Sequence, residues 1–213
     1  MASIADIRKE YRHADLSEKF ADKDAIEQFS KWWKEAVSAQ LEEVNAMTLA
    51  TASRDGLPSA RIVLMKGFDK SGFVFFTNYK SFKAMQMEEN PRACAVFFWK
   101  ELERQVRITG LVYKVSPSES DTYYNSRPEG SRIGAWVSPQ SEVIENREWL
   151  SIKEKEYIER FSITPIVRPE HWGGYRIKPI CIEFWQGRPN RLHDRLQYTL
   201  DADGKWLMER LAP

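Results

Sequence analysis

What this chain lacks narrows it quickly. It holds two cysteines, Cys94 and Cys181, in 213 residues. Each sits in an apolar stretch of strand character, ACAVFF and ICIEF, and neither has metal-ligand spacing, which speaks against zinc or any other metal centre. A disulfide between them needs neighbouring strands; two reduced, mostly buried thiols are the expectation. There is no excess of either charge: 32 Lys and Arg against 31 Asp and Glu leave a formal net charge of +1. No global field draws nucleic acid or anionic lipid, so an anion site has to be a local cluster. No apolar run approaches the roughly 20 residues that span a bilayer. The N-terminal MASIADIRKEYRHADL has no apolar signal core, so cytoplasmic residence is expected. Missing too are Gly-x-x-x-x-Gly-Lys, Gly-x-Gly-x-x-Gly after a strand and Gly-x-Ser-x-Gly, which argues against P-loop, Rossmann and hydrolase-elbow chemistry. Gly72-Phe-Val-Phe-Phe76 matches the tail of an RNA-recognition signature whose front is absent.

What is present reads as one β-rich domain over residues 1–213, with 1–23 a polar, flexible N-terminal arm. Asp24 and Glu27 suit a capping box ahead of an amphipathic helix carrying Ile26, Phe29, Trp33, Val37 and Leu41. Strand patterns follow at 47–53, 60–68, 73–78, 92–99 and 104–115. Arg54-Asp55-Gly56, Asp69-Lys70-Ser71-Gly72 and a short helix over 81–89 separate the first four, and Asn90-Pro91 ends that helix. Ser116-Pro117-Ser118-Glu119 opens a helix that stops near Arg127-Pro128. Ser138-Pro139 starts another, running to about Phe161. A strand at ICIEFW and a hairpin across Asp201-Ala202-Asp203-Gly204 close the chain. Several strands with tight turns predict a barrel or a sandwich.

Four donor clusters stand out. In Arg191-Leu192-His193-Asp194-Arg195, read as extended, Arg191, His193 and Arg195 share one face. That face either grips an anion, or a ring carrying one, or belongs to a solvated edge strand with salt bridges. His193 and Asp194, adjacent in sequence, point apart and make no dyad. Arg61 and Lys66 bracket an apolar strand at odd spacing, so they meet one ligand only across a bulge or a strand end. The stretch Phe75 to Lys83 runs through Thr77 and Asn78 into a helix with Lys83 in its first turn, which the helix dipole disfavours unless an anion is there. Tyr123, Arg127 and Ser131 fall four residues apart, aligned if helical, and arginine suits bidentate phosphate binding. Each cluster alone also reads as an ordinary cap or charged end. Together they argue for one or two phosphorylated ligands.

The stretches ARIVLMK, FFTNYKSFK, NPRACAVFFW, ERQVRITG, YYNSRPEGSRIGAWVSPQS, WGGYR, EFWQGRPNRLHDR and ERLAP keep their order and spacing over nearly the whole chain. Taken together they resemble the pyridoxine (pyridoxamine) 5′-phosphate oxidase family. The resemblance implies a β-rich α+β fold, an FMN-binding split β-barrel flanked by helices, and a homodimer with FMN at the subunit interface. It implies FMN contacts from Arg61, Thr77, Lys83, Gln105, Gln140, Ser141, Trp185 and Arg195, with Phe76 contributing backbone. Substrate phosphate falls to Lys66, Tyr123, Arg127 and Ser131. Arg191 and His193 face the substrate ring as the catalytic pair, with His193 assisting proton removal. The segment Arg8 to Tyr11 serves as a lid, which brings Arg8 and Tyr11 to the substrate. The implied reaction takes pyridoxine or pyridoxamine 5′-phosphate to pyridoxal 5′-phosphate by hydride transfer to FMN, with dioxygen as reoxidant. The alternatives are another split-barrel flavin reductase with a nicotinamide donor, and a non-catalytic FMN or pyridoxal phosphate carrier. One departure is Ser81-Phe82-Lys83, where the family has Ser-Arg-Lys. The missing arginine removes a charge-assisted hydrogen bond worth roughly 1.5–3 kcal/mol, for which Lys80 is the nearest substitute.

Overall fold

The computed structural model describes residues 10, 11 and 14–213. Helix α1 (Ala25–Ser38) starts where Asp24 Oδ1 accepts the N–H groups of Ile26 (2.7 Å) and Glu27 (3.2 Å). The return half of the capping box is not made, because the Asp24 N–H donates to Asp22 instead. The buried face is Ile26, Phe29, Trp32 and Ala36; Val37 is exposed and the helix ends before Leu41, so the apolar stripe lies one residue off the expected one.

Among the described residues nine strands form one antiparallel sheet: β1 (Ala46–Ala52), β2 (Pro58–Leu64), β3 (Gly67–Asp69), β4 (Gly72–Asn78), β5 (Arg92–Trp99), β6 (Arg104–Lys114), β7 (Trp172–Gln186), β8 (Asp194–Leu200) and β9 (Trp206–Arg210). The order is β2-β1-β5-β6-β7-β4-β3, with β8 on β7 and β9 on β8. The expected strand 60–68 is two strands, broken at Met65 and Lys66. Strand β7 organises the molecule. Strand β6 lines one side of it, while β4 and then β8 share the other, at Trp172–Ile177 and Cys181–Gln186. Pro179 sits in the gap between those two partners, beside the register shift at Thr109 and Gly110, where its missing N–H breaks no ladder. Cys94 in β5 and Cys181 in β7 both pair with Thr109 and are free thiols. Two strand spacings, roughly 10 Å, separate them, too far for a disulfide.

Helix α1 covers the core. Phe29 meets Phe68 and Phe73 at 4.8 Å and Phe97 at 5.4 Å between ring centroids, and Trp32 meets Phe184 at 5.2 Å. Helix α2 (Phe82–Glu89) follows β4. Ser116 caps α3 (Pro117–Ser126) as expected, accepting the Glu119 N–H at 3.1 Å. The sequence reading misses one helix and misplaces the start of another. Helix α3 stops at Arg127-Pro128 as expected, but after that two-residue break a further, unexpected helix, α4 (Glu129–Val137), begins. The segment 138–146 is a loop, and α5 (Arg147–Phe161) starts at the Asn146 cap. Ser138-Pro139 looks like a helix start but serves as the C-cap of α4. Helix α5 buries none of its residues, so apolar spacing could not mark its beginning.

Of the expected arm, the described part is tied down. The Leu16 N–H donates to Asp194, Arg188 reaches the Ala14 carbonyl, Arg210 reaches the Leu16 carbonyl, and the Tyr198 hydroxyl donates to the Asp22 carbonyl. No described helix is long and apolar enough to cross a membrane.

Candidate active site

A cavity of about 840 Å³ opens between β2, the end of β4, and helices α3 and α4. Its lining includes Arg61, Lys66, Phe76, Thr77, Lys83, Tyr123, Arg127, Ser131 and Gln140. Nine of the expected site residues, eight of them from three of the four sequence clusters and the ninth Gln140, thus meet in one place.

One part is built around two cations. Arg61, on edge strand β2, donates to Thr51 and Ser59 hydroxyls at 2.6 Å each and to the Leu49 carbonyl at 3.2 Å. Both hydroxyls donate in turn to Gln86 Oε1 of α2. Lys83 is buried and donates to Gln140 Oε1 (3.1 Å), Thr77 Oγ1 and Ser81 Oγ (both 3.3 Å). Among the described residues neither cation has a carboxylate partner. Burial, and secondarily Arg61, pull the Lys83 ammonium down to about 8, and burial also lowers Arg61. Two partly desolvated cations among neutral oxygens are what a phosphate would neutralise. Ser141, with φ +75°, lies outside the cavity lining and caps α2 by accepting the Phe82 N–H at 3.1 Å.

The other part is aromatic and basic. Phe76 stacks on Tyr123 at 4.0 Å and Trp172 at 5.5 Å, and the Arg127 guanidinium lies 4.6 Å over Trp172. Among the described residues Arg127 Nη1 is buried with no hydrogen-bond partner, an open donor that an anion would satisfy. Tyr123, Arg127 and Ser131 do not share a helix face, as their spacing suggested. They come from the end of α3, the extended break (Arg127 ψ 148°) and the first turn of α4. Lys66 shares the cavity with Arg61 because β2 ends at Leu64, which meets the strand-end condition. Trp172 went unrecognised in the sequence; its signal was the following Gly173-Gly174. A Cβ on Gly174 would lie 2.6 Å from Val115 and 2.7 Å from Phe76, so the glycines let β7 press against this wall.

The remaining expected residues gather elsewhere. Gln105 pairs with Trp185 and Trp185 with Arg195 across β6, β7 and β8. His193 packs on Trp185 at 4.7 Å, and Tyr11 meets both rings edge-on at 5.6 and 5.8 Å. The Arg191 to Arg195 segment is not continuously extended. Asn190 and Arg191 take φ of +56° and +61° in a tight turn, and β8 begins only at Asp194. The period-two alternation therefore fails at Arg191. Arg195 donates to Glu183 (2.8 Å) and to the Ala212 carbonyl (2.7 Å). Buried Glu183 also pairs with Arg107 and went unrecognised, although a carboxylate inside ICIEFW was a legible oddity. Arg8 lies outside the described residues. Phe82 is exposed, and Lys80 lines a different cavity, with Trp136 and His171.

Residues 33–160 match the family described as pyridoxamine 5′-phosphate oxidase, and 172–213 the pyridoxine 5′-phosphate oxidase C-terminal dimerisation region. The chain belongs to the pyridoxamine 5′-phosphate oxidase family. It is 54% identical over 213 residues, all of both chains, to the pyridoxine/pyridoxamine 5′-phosphate oxidase of Cupriavidus pinatubonensis. It is 56% identical to that of Trichormus variabilis, covering 99% of each. Among solved structures, PhzG from Burkholderia lata superposes with a TM-score of 0.88 at 28% identity, covering 95% of this chain and 100% of that one. A pyridoxamine 5′-phosphate oxidase-related, FMN-binding protein of Nostoc punctiforme, at 18% identity, shares the fold with a TM-score of 0.71 over 87% of this chain and 97% of that one. The split-barrel architecture expected from the sequence is the one observed.

Proposed function

We propose that this chain is an FMN-dependent oxidase converting pyridoxine 5′-phosphate or pyridoxamine 5′-phosphate to pyridoxal 5′-phosphate. The observation that carries this reading is a single cavity with two separate donor groups, Arg61 with Lys83 and Lys66 with Tyr123, Arg127 and Ser131, beside one aromatic wall. Two phosphorylated, ring-bearing ligands satisfy that donor set. Arg61, Thr77, Lys83, Gln140 and Ser141, with the backbone at Phe76, would hold FMN; Lys66, Tyr123, Arg127 and Ser131 would hold the substrate phosphate. FMN, when bound, supplies a hydride acceptor whose electrons pass to dioxygen, giving hydrogen peroxide. The chain's part is to bind and align, with remote phosphate binding supplying energy for the alignment.

Gln105, Trp185, Arg191, His193 and Arg195 would join the same site from a second chain, with Tyr11 beside them. Strand β7 supports this. Thr77 pairs with Gly173 near its start and Gln105 with Trp185 near its end, roughly 40 Å apart along the strand. The match of 172–213 to a dimerisation region agrees with a homodimer. Arg191 would orient the substrate ring.

The test is anaerobic. The FMN-loaded protein is mixed with pyridoxine 5′-phosphate and the flavin absorbance followed. Bleaching that recovers in air supports the oxidase; absence of bleaching with pyridoxamine 5′-phosphate as well refutes it in favour of a carrier or a reductase with another donor.

A further inference from the structure

We propose that His193 acts as a neutral hydrogen-bond donor through Nε2–H, fixed in that tautomer by the backbone amide of Arg188, and not as the acceptor of the substrate's proton. The Arg188 N–H donates to His193 Nδ1 at 3.0 Å. A backbone amide is a donor only, so its ring partner must be the unprotonated nitrogen, and the proton of a neutral imidazole is left on Nε2. Protonating Nδ1 would set two N–H groups against each other and break this bond.

The local chain is shaped to make the contact. Asn190 and Arg191 both take the left-handed region, a strained backbone for arginine, and the Leu192 N–H closes on the Pro189 carbonyl at 3.1 Å. This turn carries the chain back so that the residue 193 side chain meets the residue 188 backbone. Trp185 and Tyr11 hold the ring plane. Arg191 and Asp194 on the same segment are the charges acting on the ring, and Tyr11 is the titratable group packed on it from the arm. Burial and the Arg191 charge lower the imidazole's proton affinity, more than Asp194 raises it. Among the described residues Nε2 has no hydrogen-bond partner, so its N–H is the group left to meet a ligand. The substrate's departing proton then passes to water.

This rests on the reading that His193 faces the substrate, so the test separates the two. The chain has three histidines; ¹⁵N-histidine-labelled protein with FMN, compared with a His193→Gln variant, isolates the His193 signals. At neutral pH they are expected to show an unprotonated Nδ1 and a protonated Nε2, whatever the protein's activity. An Nδ1–H tautomer or an imidazolium there overturns the proposal. Turnover then tests the role. Glutamine places an amide donor near Nε2, so His193→Gln is expected to stay within about tenfold of the parent kcat; the parent's kcat is expected to fall at acid pH, where protonation of Nδ1 breaks the Arg188 bond, and the variant's is not. His193→Ala is expected to fall about a hundredfold or more. Glutamine as inactive as alanine overturns the donor role. If neither ligand bleaches the parent's flavin, the reading of the site fails while the tautomer result stands.

Discussion

Two regions of this molecule carry its chemistry, and they differ in how their charges are balanced. In the cavity on β2, β4, α3 and α4, Arg61, Lys83 and Arg127 face neutral oxygens and rings, and Arg127 Nη1 has no partner among the described residues. At the far end of β7 four arginines already have an anion: Arg195 and Arg107 share Glu183, and Arg188 and Arg210 share Asp194. The first region has charge in hand for a ligand. The second has spent its charge on holding Arg195, His193 and the arm in place. On the proposed reading one binds and the other orients, and they work together only when two chains meet.

The sharpest way to test that division is to separate it onto different chains. Arg127→Ala and Arg191→Ala, each made alone, are expected to lose about a hundredfold or more in kcat/KM, the cost of a charge-assisted contact made in the transition state. Unfolding and remixing the two inactive proteins should return about a quarter of the parental activity, because half the dimers are then mixed and each mixed dimer keeps one intact site. Failure to recover, with mixed dimers demonstrated, would place both regions in one chain's site.

Glu183 tests what balanced charge does. Glu183→Gln keeps the shape but removes the anion that Arg195 and Arg107 share. It is expected to lower stability by about 1–3 kcal/mol and to weaken FMN binding about tenfold, read by flavin fluorescence titration. Substrate KM should stay close to the parent value at saturating FMN. Unchanged FMN affinity would mean that Arg195 needs no positioning.

Lys83 tests what unbalanced charge costs. Its pKa is held near 8 against an ordinary 10.5, so between those values the unfolded chain binds more protons than the folded one. Stability from this group is lowest below pH 8 and rises as pH climbs through that window. The difference in Tm between the parent protein and Lys83→Met, without FMN, should therefore shift in the parent's favour from pH 8 to 10. Inorganic phosphate or FMN should flatten the trend by restoring the proton. A flat difference without ligand would mean that Lys83 is not desolvated.

The same contrast explains how much the sequence revealed. Strands β1, β5, β6 and the β8–β9 hairpin were legible because half-buried strands alternate and their turns carry glycine or asparagine. The cavity cations were legible because lysine in a first helical turn and arginine amid apolar residues are locally costly, and local cost is visible in a sequence. Glu183 was not recognised because its reason lies at two arginines on other strands. Helix α4 was not, because proline at an N-terminal position reads equally well as a stop. A site at a subunit interface was carried only by family resemblance, and its proposed division between the two parts of β7 was not legible, since nothing local records which half of a long strand a partner uses.

Lys80 gives the smallest effect and the narrowest question. Sequence proximity made it the substitute for the arginine that Phe82 replaces. Yet its N–H donates to Asn78 Oδ1 at 2.7 Å, and its side chain lines the cavity of Trp136, Trp149 and His171. Lys80 and Lys83 line different cavities, and only Lys83 reaches Thr77 and Gln140. Lys80→Ala is therefore expected to leave FMN affinity within about twofold, as for a surface charge largely screened by solvent. A loss of tenfold or more would show that the unbalanced region extends across the turn and that its charge is shared more widely than Arg61 and Lys83.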